Sequence, residues 1–95
     1  MDVFVLEEVE LTAAHVPTGN ARHYVGDSLM GKPAKLRIGR YPEDPGYYLL
    51  YLDEAGDEAT DTYHVNLADA HHQAEFEFGV QPHEWTVLRP EDSDA

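Results

Sequence analysis

The chain has 95 residues and no cysteine, so it can close one hydrophobic core but cannot hold a disulfide, a thiolate zinc site or a cysteine nucleophile. Its formal charge of −13 disfavours nucleic acid and anionic membranes as partners, while its 42% hydrophobic and 11% aromatic content distinguishes it from a disordered acidic chain. The opening residues lack the basic region of a signal peptide and no apolar run approaches the roughly 20 residues that span a bilayer, so a cytoplasmic location without membrane contact is expected.

Alternating apolar positions predict a long first strand over residues 3–13, with a bulge near Glu7 and Glu8. A helix that uses Leu6, Val9 and Ala13 is the alternative, and the β-branched content favours the strand. Residues 17–20 then predict a turn, residues 22–25 a short strand and residues 26–33 a loop.

The middle of the chain predicts a hairpin that belongs to an antiparallel sheet. Residues 34–41 alternate apolar and basic side chains and predict a strand with one wet face, in which Gly39 marks a bulge. Residues 42–46 predict a turn, and the apolar residues 47–53 predict a central strand. Residues 60–65 return as its hairpin partner after a loop in which Gly56 can adopt a positive φ.

A helix is predicted over Leu67–Phe78, because Asn66 is a suitable N-cap, Asp69 stands at the third helical position and Gly79 is a suitable C-terminal residue. Its core stripe consists of Leu67, Ala70, Ala74 and Phe78. Beyond it, a short final strand is expected, and four apolar residues are predicted to close the core: Val80, Trp85, Val87 and Leu88. The expected fold is therefore a single α+β domain over residues 1–89, an antiparallel sheet of four to six strands packed by one C-terminal helix, with a disordered acidic tail at residues 90–95.

Motifs for catalysis or phosphate binding are not recognisable in the sequence, which predicts that the protein is not an enzyme and binds no cofactor. His71 and His72 are adjacent and would point about 100° apart on a helix, so they cannot share one metal ion. No metal site is therefore predicted. A small-ligand or metal-binding domain that uses His64, His71 and nearby carboxylates remains the alternative function.

The charge is distributed unevenly. Residues 1–40 contain five acids and five bases, whereas fourteen acids and a single base, Arg89, follow Arg40. The second half should therefore carry a negative field that attracts a basic protein partner. The alternative is that the acidic side chains serve only solubility.

Two sets of residues are candidates for contact with that partner. Phe76 projects away from the predicted core stripe, beside Asp69 and His72, which favours an exposed anchor for a partner or for a homodimer. The alternative is that the N-terminal loop or the Trp85 segment covers it. The second set is the hairpin, in which the predicted surface rings and carboxylates are Tyr48, Tyr51, Tyr63, Asp53, Asp57, Glu58 and Asp61. An ordinary half-buried sheet would show the same pattern.

Residues 46–85 also resemble a recurring pattern of small, acidic, uncharacterised bacterial proteins. The pattern consists of a strand like YYLLYLD, a strand end DTYH, a helix containing QAEFEFGV and a close of the form P-x-E-W. The matching residues are Tyr48, Leu50, Asp53, Asp61, Thr62, Tyr63, His64, Gln73, Ala74, Glu75, Phe76, Glu77, Phe78, Pro82, Glu84 and Trp85. The resemblance implies a non-enzymatic domain similar to the immunity proteins found beside toxins, and it assigns no site residues.

Overall fold

The computed structural model describes residues 3–19, 24–25, 28–29 and 31–88, which form an α+β fold with one helix on one face of an antiparallel sheet. The strands are β1 (Phe4–Glu10), β2 (Tyr24–Val25), β3 (Ser28–Leu29), β4 (Lys35–Arg40), β5 (Tyr47–Leu52), β6 (Glu58–His64) and β7 (Thr86–Val87). Helix α1 spans Leu67–Phe78, and a short 3₁₀ helix spans Pro82–Glu84. The main sheet has the order β6-β5-β4-β1-β7, and β2 and β3 form a separate two-stranded sheet. The predicted fold class is confirmed.

Strand β1 contains the expected bulge, although it lies at Leu6, just before Glu7 and Glu8. Val5 pairs with Gly39 and Glu7 pairs with Ile38, so Leu6 is the extra residue. The bulge reverses the alternation, and Val5 and Val9 therefore face opposite sides of the sheet. Gly39 lies opposite the bulge and is not itself bulged, which corrects the expectation for that position. A Cβ there would lie 2.5 Å from Val3 Cγ2 and 3.1 Å from the Phe4 carbonyl oxygen, so the close approach requires glycine.

Strand β5 lies between β4 and the edge strand β6, so it is internal to the sheet, but the central strand of the five is β4. The face of the sheet that carries α1 is called the helix face here, and the other is called the outer face. On the helix face, Leu49 and Tyr51 are fully buried, while Leu50 and Leu52 are buried on the outer face. Both apolar faces of the predicted strand are thus covered.

Helix α1 begins and ends at the predicted residues. The Asn66 side-chain oxygen accepts a hydrogen bond from the Asp69 backbone N–H at 2.8 Å, and Gly79 has a φ of 69° and donates its N–H to the Glu75 carbonyl. Ala70, Ala74 and Phe78 are buried against the sheet. The alanines let the helix approach the sheet closely.

The segment after α1 closes one side of the core only in part. Val80 and Trp85 are buried, as expected, but Val87 and Leu88 are 62% and 52% exposed, so the prediction that they close the core is wrong. They lie where β7 pairs with β1, at the edge of the sheet.

Residues 22–23 of the predicted second strand and the tail at 90–95 lie outside the described residues. No helix in the described part of the chain has the length and hydropathy needed to cross a membrane.

Candidate functional site

The predicted partner-binding residues gather around β6, which forms one edge of the sheet. Side chains alternate along this strand, so Asp61 and Tyr63 lie on the outer face while Thr62 and His64 lie on the helix face. Residues 60–64 pair regularly with β5, and a register shift before them leaves Ala59 unpaired. The strand therefore presents a different surface on each of its two sides.

On the outer face, three tyrosine rings form a cluster. Tyr48 lies edge-to-face with Tyr41 on one side and with Tyr63 on the other, with ring centroids 5.2 Å apart in both pairs. The Tyr48 hydroxyl donates to Asp44 at 2.7 Å, and this hydrogen bond raises the pKa of Tyr48 to about 12. The Gly46 backbone N–H and then the Tyr48 hydroxyl lower the pKa of Asp44. The turn before β5 thus fixes the ring of Tyr48.

Tyr63 is held by a glycine that the sequence did not single out. A Cβ at Gly46 would overlap the Tyr63 ring atoms Cε1, Cζ and Oη, so the ring lies directly on the glycine backbone. Tyr63 nevertheless remains 50% exposed. The cluster therefore presents one ring that is positioned by its neighbours and open to a partner.

Two carboxylates, Glu58 and Asp61, lie beside this cluster. Partial desolvation and the neighbouring Asp61 raise the pKa of Glu58, and both carboxylates also contribute to raising the pKa of Tyr41, after desolvation. Within the described ranges, no ion pair involves Glu58 or Asp61. Any added cation would relieve their mutual repulsion.

Two bases of β4, Lys35 and Arg37, lie on the other half of the same face and are paired with acids of β1. Arg37 Nε lies 3.1 Å from Glu8 Oε1, and Lys35 Nζ lies 3.8 Å from the same atom and 3.9 Å from Glu10 Oε1. The β1 acids therefore neutralise these two bases. The charge asymmetry in the sequence becomes a balanced half and an acidic half of one sheet face.

On the helix face, a shallow open groove of about 360 Å³ lies between β6 and α1. It is lined by His64, Asp69, His72, Gln73 and Phe76. Phe76 is 49% exposed, which agrees with its predicted projection away from the core. The Thr18 hydroxyl and N–H donate to the backbone carbonyls of Phe76 and Glu77, so the N-terminal loop reaches this part of the helix.

His64 connects the groove to the sheet. Its Nε2 lies 2.7 Å from the Thr62 hydroxyl, and its partial burial lowers its pKa. The lowered pKa favours the neutral form of the ring beside the acidic edge.

Tyr51 is not part of this surface, which corrects its assignment as a contact residue. It is fully buried on the helix face, and its hydroxyl donates to the buried Glu77 carboxylate, which also accepts from Gln73 Nε2 at 2.7 Å. Burial and this hydrogen bond raise the pKa of Tyr51. The ring also lies edge-to-face with Phe78, so Tyr51 belongs to the core.

Asp53 and Asp57 lie in the turn between β5 and β6. Asp53 Oδ1 accepts the backbone N–H groups of Ala55 and Asp57, both at 2.9 Å, so this carboxylate shapes the turn. Asp57 is exposed beside it. Both add negative charge near Glu58, but neither lies next to the tyrosine cluster by any described contact.

Two of the described histidines pair with carboxylates, each at a separate place. His71 Nε2 lies 2.9 Å from the buried Glu7, with its ring stacked on Trp85, and His15 Nε2 lies 2.7 Å from Glu84. Neither pair was foreseen, because the partners are 64 and 69 residues apart in sequence. The described residues contain no group of three or more metal-ligating side chains. His71 contacts Glu7, whereas His64 contacts Thr62.

The ten predicted contact residues thus divide among four places: the outer face of β5 and β6, the groove beside α1, the turn before β6 and the core. The outer face and the groove both adjoin strand β6, a relation that sequence spacing alone did not show.

Comparison of the chain with protein-family models, curated proteins and solved structures gives no match.

Proposed function

We propose that the chain is a non-enzymatic interaction domain that binds a basic protein through the β6 surface. This surface consists of Tyr48, Tyr63, Glu58 and Asp61 on the outer face and of Asp69, His72 and Phe76 in the groove. The observation that supports it most strongly is that carboxylates with no basic partner among the described residues lie beside two half-exposed aromatic rings, Tyr63 and Phe76. Aromatic anchors with a charged rim are the usual composition of a protein interface.

The electrostatics favour a cationic partner. A lysine or arginine placed between Glu58 and Asp61 would stabilise the charged form of both, and the acidic field of the second half would raise the rate of encounter. The most specific version of the proposal is an inhibitor or immunity protein that neutralises a basic toxin or nuclease in the cytoplasm. In that version, steering sets the association rate, and the two rings slow dissociation.

Selection from a displayed library of random peptides tests the proposal without a known partner. Peptides enriched on the immobilised chain should be rich in lysine and arginine. Their affinity should fall about tenfold between about 50 and about 300 mM NaCl, because salt screens the interaction.

Charge reversal at the site provides the matched comparison. The double variant Glu58→Lys with Asp61→Lys should lower the affinity for the selected peptides at least about tenfold. Glu10→Lys with Glu75→Lys changes the net charge equally but lies on β1 and on the far flank of α1, so it should retain most of the affinity. Enrichment of neutral or acidic peptides, or equal losses in both double variants, would contradict the proposal.

A further inference from the structure

In the part of the chain that the structure describes, no strand pairs with the outer side of β6, so another strand could pair there. In an antiparallel sheet every second residue of an edge strand directs its N–H and C=O groups away from the sheet. The sheet ends at β6, and no backbone hydrogen bond from the described residues reaches its outer side. The regular part, residues 60–64, is long enough for about four to six such bonds.

The surroundings of this edge would accommodate the side chains of an added strand on both faces. Alternate residues would point either towards the outer face, beside Asp61 and Tyr63, or towards the helix face. On the helix face they would enter the groove, where Gln73 and Phe76 project from the flank of α1 above β6. Backbone pairing would supply affinity, and the two side-chain surfaces would supply selectivity.

The charges of the edge determine which strand it accepts. Glu58 and Asp61 are the acidic residues of β6, and the strand contains no lysine or arginine. Pairing with a second copy would bring these carboxylates together, which is unfavourable for like charges in neighbouring strands. A strand with lysine or arginine on its outer face would instead complement Glu58 and Asp61.

We infer that β6 accepts an extended basic segment of the partner as an added strand, with its cationic side chains beside Glu58 and Asp61 and an apolar side chain against Phe76. This inference rests on the proposed function and specifies how the β6 surface is used. It predicts that binding depends on backbone hydrogen bonds as well as on charge.

A labelled peptide of alternating lysine and valine is a suitable probe, with binding followed by fluorescence anisotropy and by amide hydrogen exchange of the protein. Two isomers carry N-methyl groups either on every lysine or on every valine. Since only one set of N–H groups faces β6 in a bound strand, one isomer should lose binding at least about tenfold while the other retains it. The unmethylated peptide should also protect the outward-facing amides of residues 60–64 from exchange.

Two variants test the groove. Phe76→Ala should lower the affinity for the unmethylated peptide about tenfold, because an apolar contact is lost. Val65→Ala is the control, since Val65 is 69% exposed but lies beyond the end of β6. Equal losses in the two variants would contradict a specific role for Phe76 and with it the inferred groove contact.

The outcomes separate the inference from the proposed function. If both methylated isomers bind as the parent peptide does and the β6 amides exchange unchanged, strand addition is wrong while recognition of a basic partner stands. If neither this peptide nor any selected basic peptide binds, the proposed function fails too. A free chain that sediments as a dimer with its β6 amides already protected would show that a second copy occupies the edge, which overturns the inference.

Discussion

Replacement of Glu58 by glutamine should stabilise the protein at neutral pH, contrary to the usual effect of a substitution. The folded state raises the pKa of Glu58 through partial desolvation and through Asp61, so it disfavours the ionised carboxylate. Because Glu58 is exposed, the gain is limited to the range of surface charge interactions, about 0.2–1 kcal/mol. For a domain of this size, about 0.5 kcal/mol corresponds to a rise of roughly 2–4 °C in Tm.

The stability effect of Glu58→Gln should depend on pH. A carboxyl with a raised folded-state pKa binds protons more tightly in the folded state, so its contribution to stability falls as the pH rises through that pKa. The stability gap between Glu58→Gln and the parent should therefore be small in acid and grow towards neutral pH. Urea unfolding followed by Trp85 fluorescence at several pH values measures this gap.

Asp44→Asn is the matched contrast for Glu58→Gln. The pKa of Asp44 is lowered by hydrogen bonds from the Gly46 N–H and the Tyr48 hydroxyl, so this variant should be less stable than the parent at neutral pH. The loss should disappear as the pH falls through the lowered pKa. A Glu58→Gln variant that is no more stable than the parent at pH 7 would refute the reasoning about the carboxylate pair.

Substitutions at three further positions test the fold by urea unfolding. Gly79→Ala should lower the free energy of unfolding by about 1 kcal/mol because the residue has a φ of 69°, and Gly79→Asn should lower it less. Gly39→Ala should cost about 1–3 kcal/mol, since its Cβ would lie 2.5 Å from Val3 Cγ2. Tyr51→Phe should cost about 1–3 kcal/mol because it removes a donor from the buried Glu77 carboxylate. An unchanged midpoint in any of the three would contradict the corresponding contact.

The local features of this fold were predictable because neighbouring residues determine them. The Asn66 cap, the Gly79 terminus and the buried stripe of α1 each depend on residues within a few positions, and the structure confirms all three. The hairpin of β5 and β6 follows from two apolar or β-branched runs around a short turn in the same way. The exposure of Phe76 follows directly from the helical periodicity.

Features that depend on distant residues were not predictable. Both faces of β5 are apolar, so alternation could not show that the helix covers Tyr51, and its partner Glu77 lies 26 residues away. The bulge at Leu6 moves Val5 to the outer face, which no simple alternation anticipates. The place of Tyr63 depends likewise on Gly46, because only a glycine in the facing turn leaves room for the ring.

The acidic edge has two consequences that follow from one arrangement. Proteins commonly place charges on edge strands to prevent association, and the carboxylates of β6 oppose pairing with another copy of this chain. The same carboxylates lack basic partners among the described residues, whereas Glu8 on the same sheet is paired with Arg37 and Lys35. An edge strand whose acidic side chains were paired with bases would not distinguish acidic strands from basic ones. An edge with carboxylates of a single uncompensated sign repels acidic strands but not a basic one, so the same charges that oppose self-association would also give selectivity for the basic segment that we propose as the partner.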